Sequence, residues 1–193
     1  MVELAWQLMM GVGLAASAGL RAFLPLLVVG LAARFDVIAL SARFEWMAST
    51  AALTVFALAV AIEMLGDKFP VVDHLLDTAG TFARPIAGAL VAASPLTALD
   101  PLTGLVVGLV LGGSIAGSVH AAKAGARLVS SGTTAGVANP LLSMTEDVVS
   151  LWGAVLSIFV PILTFTVAVG LLYFVVHRLG SRRRSGVGDR AVG

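Results

Sequence analysis

Long apolar stretches separated by short polar segments run through nearly the whole chain. The stretches cover residues 8–33, 46–65, 82–93, 102–119 and 148–176. A helix of about 20 apolar residues crosses the hydrocarbon core of a bilayer, and a helix satisfies its own backbone hydrogen bonds there. The pattern therefore predicts an all-α, polytopic integral membrane bundle. We expect about five transmembrane helices plus short interfacial or re-entrant polar helices.

The first apolar stretch is too long and too irregular for one straight helix. Its 26 residues, 8–33, would measure about 39 Å, whereas the hydrocarbon core is about 30 Å thick. The stretch contains several glycines together with Arg21 and Pro25, and no basic residue precedes it. A secretory signal peptide would begin with basic residues. We therefore expect a tilted or broken span with Arg21 near its middle.

Polar residues and prolines predict where later helices begin. Asp100-Pro101 and Asn139-Pro140 each place a capping residue before a proline, which is a favoured first helical residue. Both pairs are expected to start helices. The small and polar residues 130–138 between them are predicted to form a loop.

The second span and the polar segment after it are predicted as separate elements. Trp46 is expected to anchor the start of the span 46–65 at the membrane interface, and Gly66 to end it. The segment 67–81 is too charged to cross a membrane, so it is expected to lie at the interface or to dip into the protein. Thr81 can then cap the next helix.

The last apolar region, 140–176, would be about 55 Å long as a single helix. We therefore expect 141–147 at the surface and a span that begins near residue 148. A break at Pro161, or a split first helix, would raise the number of spans to six. The chain is divided into one transmembrane domain, 1–178, and a basic, disordered tail, 179–193.

Arginines predict the orientation. The basic tail is expected in the cytoplasm of a bacterial cell, with the protein in the inner membrane. Five spans then place the N-terminus outside, with Arg34 and Arg43 inside. The same count places the two polar segments, 66–81 and 120–147, together on the outer side.

Composition excludes several classes of protein. Of 193 residues, 59% are hydrophobic and only 12% are charged, whereas a soluble domain carries about 25% charged residues. A soluble enzyme is therefore excluded, and the net charge of +1 gives no reason to expect a nucleic-acid partner. The chain has no cysteine, which excludes disulfides and thiolate chemistry. We expect the lipid bilayer as the surroundings, with no cofactor and no metal.

Arg21 is the most costly residue in its predicted place. An arginine at the centre of a membrane costs about 2.5–3.5 kcal/mol on insertion scales, so it should face the bundle interior and meet an acid. Glu63 is the nearest candidate by depth. A structural ion pair, an anion site and a proton path all remain open.

The two polar segments concentrate the other ionisable residues. Asp73 and Asp77 lie four apart, on one helical face, and His120 and Arg127 lie seven apart on another helix. Solvated faces or side chains that reach the membrane interface are the structural alternatives. The candidate residues for substrate binding or transport are Arg21, Glu63, Asp67, Lys68, Asp73, His74, Asp77, Arg84, His120, Lys123, Arg127, Asn139, Glu146 and Asp147.

Glycines recur along the stretch that follows Asp100. Small residues at every fourth position let helix backbones approach closely in lipid. This face is predicted to pack against another helix, either in the same chain or in a homo-oligomer or partner membrane subunit. The predicted packing residues are Gly104, Gly108, Gly112, Gly113 and Gly117.

One fragment of a membrane-enzyme motif is present, and it is incomplete. Gly80-x-x-Ala83-Arg84 is similar to part of the motif of CDP-alcohol phosphotransferases. The metal-binding aspartates of that motif are replaced here by Leu76 and Ala79. No catalytic residue is predicted.

Three blocks of residues carry a resemblance that covers about residues 8–178. They are GLAASAGLRAFLP over 13–25, E-x3-D-K-x-P-x2-D-H-x2-D-x2-G-T-x2-R-P-x2-G over 63–88, and H-A-A-K-A-G-x-R followed by T-T-x-G-x2-N-P-x2-S-x2-E-D over 120–147. Together they resemble the bacterial membrane-protein family catalogued as domain of unknown function 4126. The resemblance implies an integral membrane protein whose polar segments are family features, and it transfers no catalytic role to any residue.

Three functions are weighed. The favoured hypothesis is a small permease or lipid- or solute-translocating protein, with a charged site formed by the two polar segments. The first alternative is a non-catalytic subunit of a larger envelope complex, docked through the glycine face. The second is a membrane-embedded enzyme acting on a lipid or a phosphate ester.

Overall fold

The computed structural model describes residues 1–66, 70–134 and 138–188, with the side chains of 70–75, 77, 175, 176 and 178–188 outside the description. Every regular element in these residues is helical, which confirms the all-α prediction. The helices are α1 (Val2–Leu20), α2 (Phe23–Arg34), a 3₁₀ segment (Ala42–Ala48), α3 (Thr50–Gly66), α4 (Pro70–Ala93), α5 (Pro101–Val107), α6 (Gly113–Thr134), α7 (Asn139–Phe159) and α8 (Pro161–Gly188). A π-helical segment, Gly108–Gly112, joins α5 to α6, so that Pro101–Thr134 is one continuous helix.

The helix α1 forms the centre of the bundle and contacts α4, α6, α7 and α8. Its glycines allow close approach. A Cβ atom on Gly11 would lie 2.8 Å from the carbonyl oxygen of Ala92 in α4, and one on Gly19 would lie 2.6 Å from that of Ala116 in α6. Leu14 on the same helix is completely buried. Small residues therefore bring neighbouring backbones together around α1.

The first apolar stretch is broken at Arg21, and α2 folds back beside the bundle. Gln7 near the start of α1 bonds Thr97, and the amide of Ser41 bonds the carbonyl of Ser94, so Ser41 lies at the starting end of α1. A straight continuation of α1 would carry the end of α2 about 40 Å away from that level. The seven residues that follow Arg34 span at most about 25 Å, so α2 must return. The predicted break is confirmed, and Arg21 lies at the tip of a helical hairpin.

The fold-back changes the predicted topology. The N-terminus lies at the same end of the bundle as residues 35–49, whereas a five-span arrangement with α1–α2 as one crossing places them at opposite ends. The predicted placement of the N-terminus opposite Arg34 is therefore wrong. The predicted placement of the two polar segments together on the outer side stays a prediction.

Two helices are long and apolar enough to cross a membrane, Pro101–Thr134 and Asn139–Phe159. A third candidate combines the 3₁₀ segment with α3, which meet at a bend of 65°. The apolar helices Phe23–Arg34 and Pro161–Phe174 are shorter. The described residues therefore contain two or three candidate spans, and the predicted number of about five is not confirmed.

Several predicted boundaries are wrong. The segment 67–81 is not a separate helix, because α4 runs without a break from Pro70 to Ala93 with Pro85 inside it. Proline removes one backbone hydrogen bond, and tertiary contacts on both sides of it keep the helix continuous. Thr81 therefore lies within the helix rather than at its cap. Residues 130–134 belong to α6 instead of a loop.

Other boundaries differ by a few residues or in their capping. The predicted span that begins at Trp46 begins instead at Thr50, after the 3₁₀ segment, and it ends at Gly66 as predicted. Asp100 caps α5 as predicted, since its carboxylate accepts bonds from Leu102 and Thr103. The hydrogen bonds from the side chain and backbone of Thr103 lower the pKa of Asp100. A charged carboxylate is favourable at a helix N-terminus.

The region 141–147 is also helical, because α7 begins at Asn139. Pro140 lies at the start of that helix as predicted, but Asn139 does not cap it. The break at Pro161 separates α7 from α8. The division of the chain into a bundle and a disordered tail stays a prediction.

The glycine face of the α5–α6 helix is covered by α4 of the same chain. A Cβ atom on Gly108 would lie 2.4 Å from the Cβ of Ala93, and one on Gly112 would lie 2.3 Å from the carbonyl oxygen of Gly88. A Cβ atom on Gly113 or Gly117 would lie 3.4–3.6 Å from the nearest atom of Pro85, and one on Gly104 would lie 3.6 Å from Leu96. This face is therefore an intramolecular packing surface, tightest at Gly108 and Gly112.

The substitution Gly112→Ala is expected to destabilise the protein by about 1–3 kcal/mol. Its new methyl group would meet the backbone of α4, which cannot rotate away, so the two helices would have to separate. The measurement is the free energy of unfolding in mixed micelles titrated with a denaturing detergent. Gly104→Ala and Gly125→Ala are matched controls, because their nearest contacts are at 3.6 Å and beyond 4 Å. Both controls should be neutral or slightly stabilising, and equal losses at positions 104 and 112 would contradict the packing described here.

Candidate functional site

Arg21 is completely buried at the tip between α1 and α2. Its Nε atom lies 2.5 Å from a carboxylate oxygen of Asp147, and its Nη2 atom donates to the hydroxyl of Ser143 at 2.7 Å. Its Nη1 atom donates to the backbone carbonyl of Glu63 at 3.3 Å. Arg21 therefore ties the hairpin tip to α7 and α3. The acid shown paired with it is Asp147 and not the predicted carboxylate of Glu63.

The carboxylate of Glu63 binds the beginning of α2. Its two oxygens accept hydrogen bonds from the backbone amides of Ala22 at 3.1 Å and Phe23 at 3.4 Å. The first amides of a helix have no partner within the helix, and the helix dipole favours a negative charge there. Glu63 is itself buried, with 7% of its surface exposed. It therefore acts as a cap supplied by α3.

Lys123 on α6 caps the end of α1 with a positive charge, as Glu63 caps the beginning of α2 with a negative one. Its ammonium group donates to the carbonyl oxygen of Leu20 at 3.1 Å, where the dipole favours a positive charge. The same ammonium lies 2.8 Å from the carboxylate of Glu146, which also accepts from Arg127 at 3.1 Å. One carboxylate from α7 therefore holds two cations of α6.

Arg84 on α4 lies between two possible acceptors. Its Nη1 atom contacts Nδ1 of His120 on α6, and its Nη2 atom lies 3.9 Å from the carboxylate of Glu63. The other ring nitrogen of His120 lies 3.3 Å from the hydroxyl of Thr81. Arg84 and His120 are both buried. The four residues connect α4 and α6 to the cap of α2.

These groups form one assembly, here called the tip network. Its members are Arg21, Glu63, Arg84, His120, Lys123, Arg127, Ser143, Glu146 and Asp147. Eight of the nine were predicted as site residues. Ser143 was missed as a site residue, although it lies four positions before Asp147 and therefore on the same helical face. The backbone groups of Leu20, Ala22 and Phe23 were also missed, because they become available only where the helix breaks.

Of the remaining predicted site residues, Asn139 is the one whose side chain the structure describes. Asn139 donates to the hydroxyl of Ser131, near the connection between α6 and α7. Asp67 and Lys68 lie outside the described residues. The backbones of Asp73, His74 and Asp77 belong to α4, and their side chains lie outside the description.

Along the α5–α6 helix, the network residues follow directly after the apolar stretch. The apolar stretch 102–119 on the α5–α6 helix ends one residue before His120, and Lys123 of the same helix contacts the end of α1. Arg21 therefore lies at the level where the apolar stretch 102–119 gives way to polar residues, and its predicted depth in a membrane stays a prediction. Burial nevertheless requires that the charges be paired.

Permanent and exchangeable charges meet in this assembly. The arginines keep their charge at all ordinary pH values, whereas His120, Lys123 and the carboxylates can exchange protons. Among the described side chains, no three of His, Asp or Glu converge to hold a metal ion. The described groups of the network can form ion pairs and hydrogen bonds and can exchange protons.

The fold and this site define an α-helical protein in which apolar helices, two or three of them candidate membrane spans among the described residues, pack around a buried ionic network. A family model described as Domain of unknown function (DUF4126) matches residues 8–180, and the chain belongs to that family. The apolar helices of this chain are compatible with a membrane protein. No curated protein and no solved structure matches the chain.

The substitution Glu146→Gln is expected to destabilise the protein by about 3–5 kcal/mol, because it leaves two buried cations without their shared carboxylate. The measurement is the same detergent titration of the free energy of unfolding. Glu45→Gln, at an exposed position of the 3₁₀ segment, removes the same charge from the surface and should change stability by less than about 0.5 kcal/mol. Adding Lys123→Met to Glu146→Gln should restore part of the loss. Similar losses for the variants at 146 and 45 would show that the network does not stabilise the fold.

Proposed function

We propose that the chain is a small permease, or a lipid- or solute-translocating protein, of the bacterial inner membrane, which handles its cargo at the tip network. In this proposal, α1 with α2 enters and returns as a re-entrant hairpin. The tip network faces the outside. Because the hairpin returns to the side that it enters, a C-terminus in the cytoplasm requires an even number of full crossings, four or six, rather than five. Arg34 and Arg43 at the opposite end of the bundle support this orientation, because arginine-rich loops remain on the cytoplasmic side.

The observation that carries the proposal is the way in which the broken helix is capped. The end of α1 and the beginning of α2 are held by Lys123 and Glu63, which are ionisable side chains of other helices. Transporters place substrate and ion sites at such interrupted helices, where helix ends face charged groups. Irregular backbone is tolerated at membrane depth where protein buries it or where it lines a water-filled cavity.

The cargo class follows from the composition of the network. The described side chains contribute the cations Arg21, Arg84, Lys123 and Arg127, and the carboxylates Glu63, Glu146 and Asp147. These charges are largely paired, so a cargo must replace existing contacts rather than fill an empty site. A group with an anionic or zwitterionic character can replace a carboxylate and leave the cations paired.

The subunit alternative loses its predicted docking surface, because Gly108 and Gly112 are packed against α4 of the same chain. A partner helix would have to dock elsewhere on the bundle. The enzyme alternative has no supporting observation among the described residues. Neither is developed as a second proposal.

The absence of cysteine allows a direct test by labelling. In this test Ser143→Cys is reacted with a small, charged thiol reagent in right-side-out vesicles and in inverted vesicles. Ser143 is buried against Arg21, so it can react only when the network opens to water. A permease that alternates between two open states is expected to show reaction from each side of the membrane.

Ser157→Cys is the matched control, because Ser157 is a completely buried serine on the same helix. It should not react in either vesicle orientation, and both variants should react fully after denaturation. If the cysteine at position 143 reacts from neither side, or from one side alone, the network does not open alternately to the two sides of the membrane. The permease proposal is then wrong.

A further inference from the structure

Among the residues that the structure describes, exposed acidic and basic side chains lie at one end of the bundle. They are Glu3, Arg34, Asp36, Arg43, Glu45 and Asp100. This end holds the N-terminus and the connections 35–49 and 94–100, which the hydrogen bonds of Gln7 and Ser41 bring together. At the opposite end, the described side chains of α3, α4, α6 and α7 include no exposed Asp, Glu, Lys or Arg. The two ends of the bundle therefore fit different surroundings.

Large apolar side chains occupy outward positions around the tip network. Each of them lies within two residues of a network member, and 56–75% of the surface of each residue is exposed. These residues, here called the apolar collar, are Ile62 on α3, Phe82 and Ile86 on α4, Leu128 on α6, and Met144 and Val148 on α7. At one level of the bundle, charged side chains therefore point inward and apolar side chains point outward.

Water is an unfavourable environment for the apolar collar. Removing apolar surface from water is favourable in proportion to its area, and soluble monomers rarely expose large contiguous apolar patches. The collar is spread over four helices around the tip, with α4 packed against α3 and α6, and α7 packed against α6. One docked protein covers one side of such a bundle, whereas the hydrocarbon of a bilayer surrounds it. Acyl chains therefore fit the collar better than a protein partner.

The collar also continues the apolar surface of a candidate membrane span. On α7, Met144 and Val148 share one helical face with Trp152 and Phe159, because these residues are spaced by four, four and seven positions. All four are exposed, and the face passes the level of the tip network without a charged residue. The helix Asn139–Phe159 is long and apolar enough to cross a membrane. The part of its face beside the network is therefore expected to meet the same acyl chains as the rest.

The length of α7 leads to the same conclusion. Its 21 residues measure about 31 Å, and the hydrocarbon core is about 30 Å thick, so a crossing by α7 uses the whole helix. Asp147 lies eight residues after Asn139, which is about 12 Å along the helix axis. On α6, Lys123 lies about 16 Å before the helix ends at Thr134. Both helices therefore continue well past the network.

We propose that acyl chains of one membrane leaflet surround the tip network and contact the apolar collar. The network then lies beneath the lipid headgroups, and lipid rather than water shields its charges from the side. A lipid can reach the helices that carry the network without leaving the bilayer. As a statement about the cargo, this rests on the proposed function and selects a lipid rather than a soluble solute.

The test uses Phe82→Cys and Met144→Cys, each carrying a nitroxide spin label, in the full chain in vesicles of phosphatidylethanolamine and phosphatidylglycerol. Electron paramagnetic resonance measures how often each label collides with oxygen, which concentrates in hydrocarbon, and with a polar nickel chelate, which stays in water. Both positions are exposed, so the labels replace no packed side chain. Leu58→Cys, on the exposed apolar face of α3, is the lipid control. Ala98→Cys, exposed beside Asp100, is the water control.

The oxygen-to-chelate collision ratio at positions 82 and 144 is expected to be at least about tenfold higher than at position 98, because hydrocarbon excludes a polar chelate. It should resemble the ratio at position 58. If either variant fails to fold, Ile62→Cys or Leu128→Cys repeats the measurement at another collar position.

The proposal is overturned if the label at either position meets the chelate as often as the label at position 98, because water then reaches the collar. It is also overturned if both labels are shielded from oxygen and chelate alike, because a protein, including a second copy of this chain, then covers the collar. These outcomes are independent of the reaction of the cysteine at position 143. A collar in lipid with no reaction at position 143 would refute the permease alone. A collar in water with reaction from both sides would leave a permease whose cargo arrives from water.

Discussion

Where α1 ends at Leu20 and α2 begins at Phe23, the backbone presents carbonyl and amide groups that apolar surroundings cannot satisfy. The structure satisfies them with charged side chains from other helices, namely Lys123 at the carbonyl and Glu63 at the amides. Both charges match the sign of the helix dipole that they meet. Because the caps come from α6 and α3, the hairpin tip depends on the correct position of both helices, and each of those helices depends in turn on the tip.

Close packing in the apolar part of the bundle makes this arrangement possible. Gly19 lets α1 approach Ala116 of α6, and Gly112 lets the same long helix approach Gly88 of α4. Larger side chains would separate these backbones, and water or lipid would then reach the charges that lie just beyond. The glycines therefore support the network indirectly, by fixing the distance between the helices that carry its side chains. This explains why one chain combines a glycine-rich helix with a buried ionic cluster.

Sequence patterns predict several helix ends correctly, but they do not predict which distant residues the buried charged side chains contact. Asp100 and Gly66 mark helix ends through chemistry within a few residues, and the structure agrees at both positions. The acid that pairs with Arg21 could not be predicted, because several carboxylates lie at a similar depth and only the packing of α7 selects Asp147. The return of α2 could not be predicted either, since it is set by packing against α3, α7 and the 3₁₀ segment, which lie far away in the sequence or beyond the turn. The continuity of α4 through Pro85 likewise depends on tertiary contacts that no local pattern encodes.

The arrangement of charges limits how the network can change. A buried cation that loses its carboxylate is strongly unfavourable, so any movement must exchange one partner for another in a single step. Arg21 is held from two helices by Asp147, Ser143 and the carbonyl of Glu63. Arg84 contacts His120 on α6 and lies 3.9 Å from the carboxylate of Glu63 on α3. The two arginines therefore tie different helices to the tip, because Arg21 joins it to α3 and α7, whereas Arg84 joins α4 to α3 and α6.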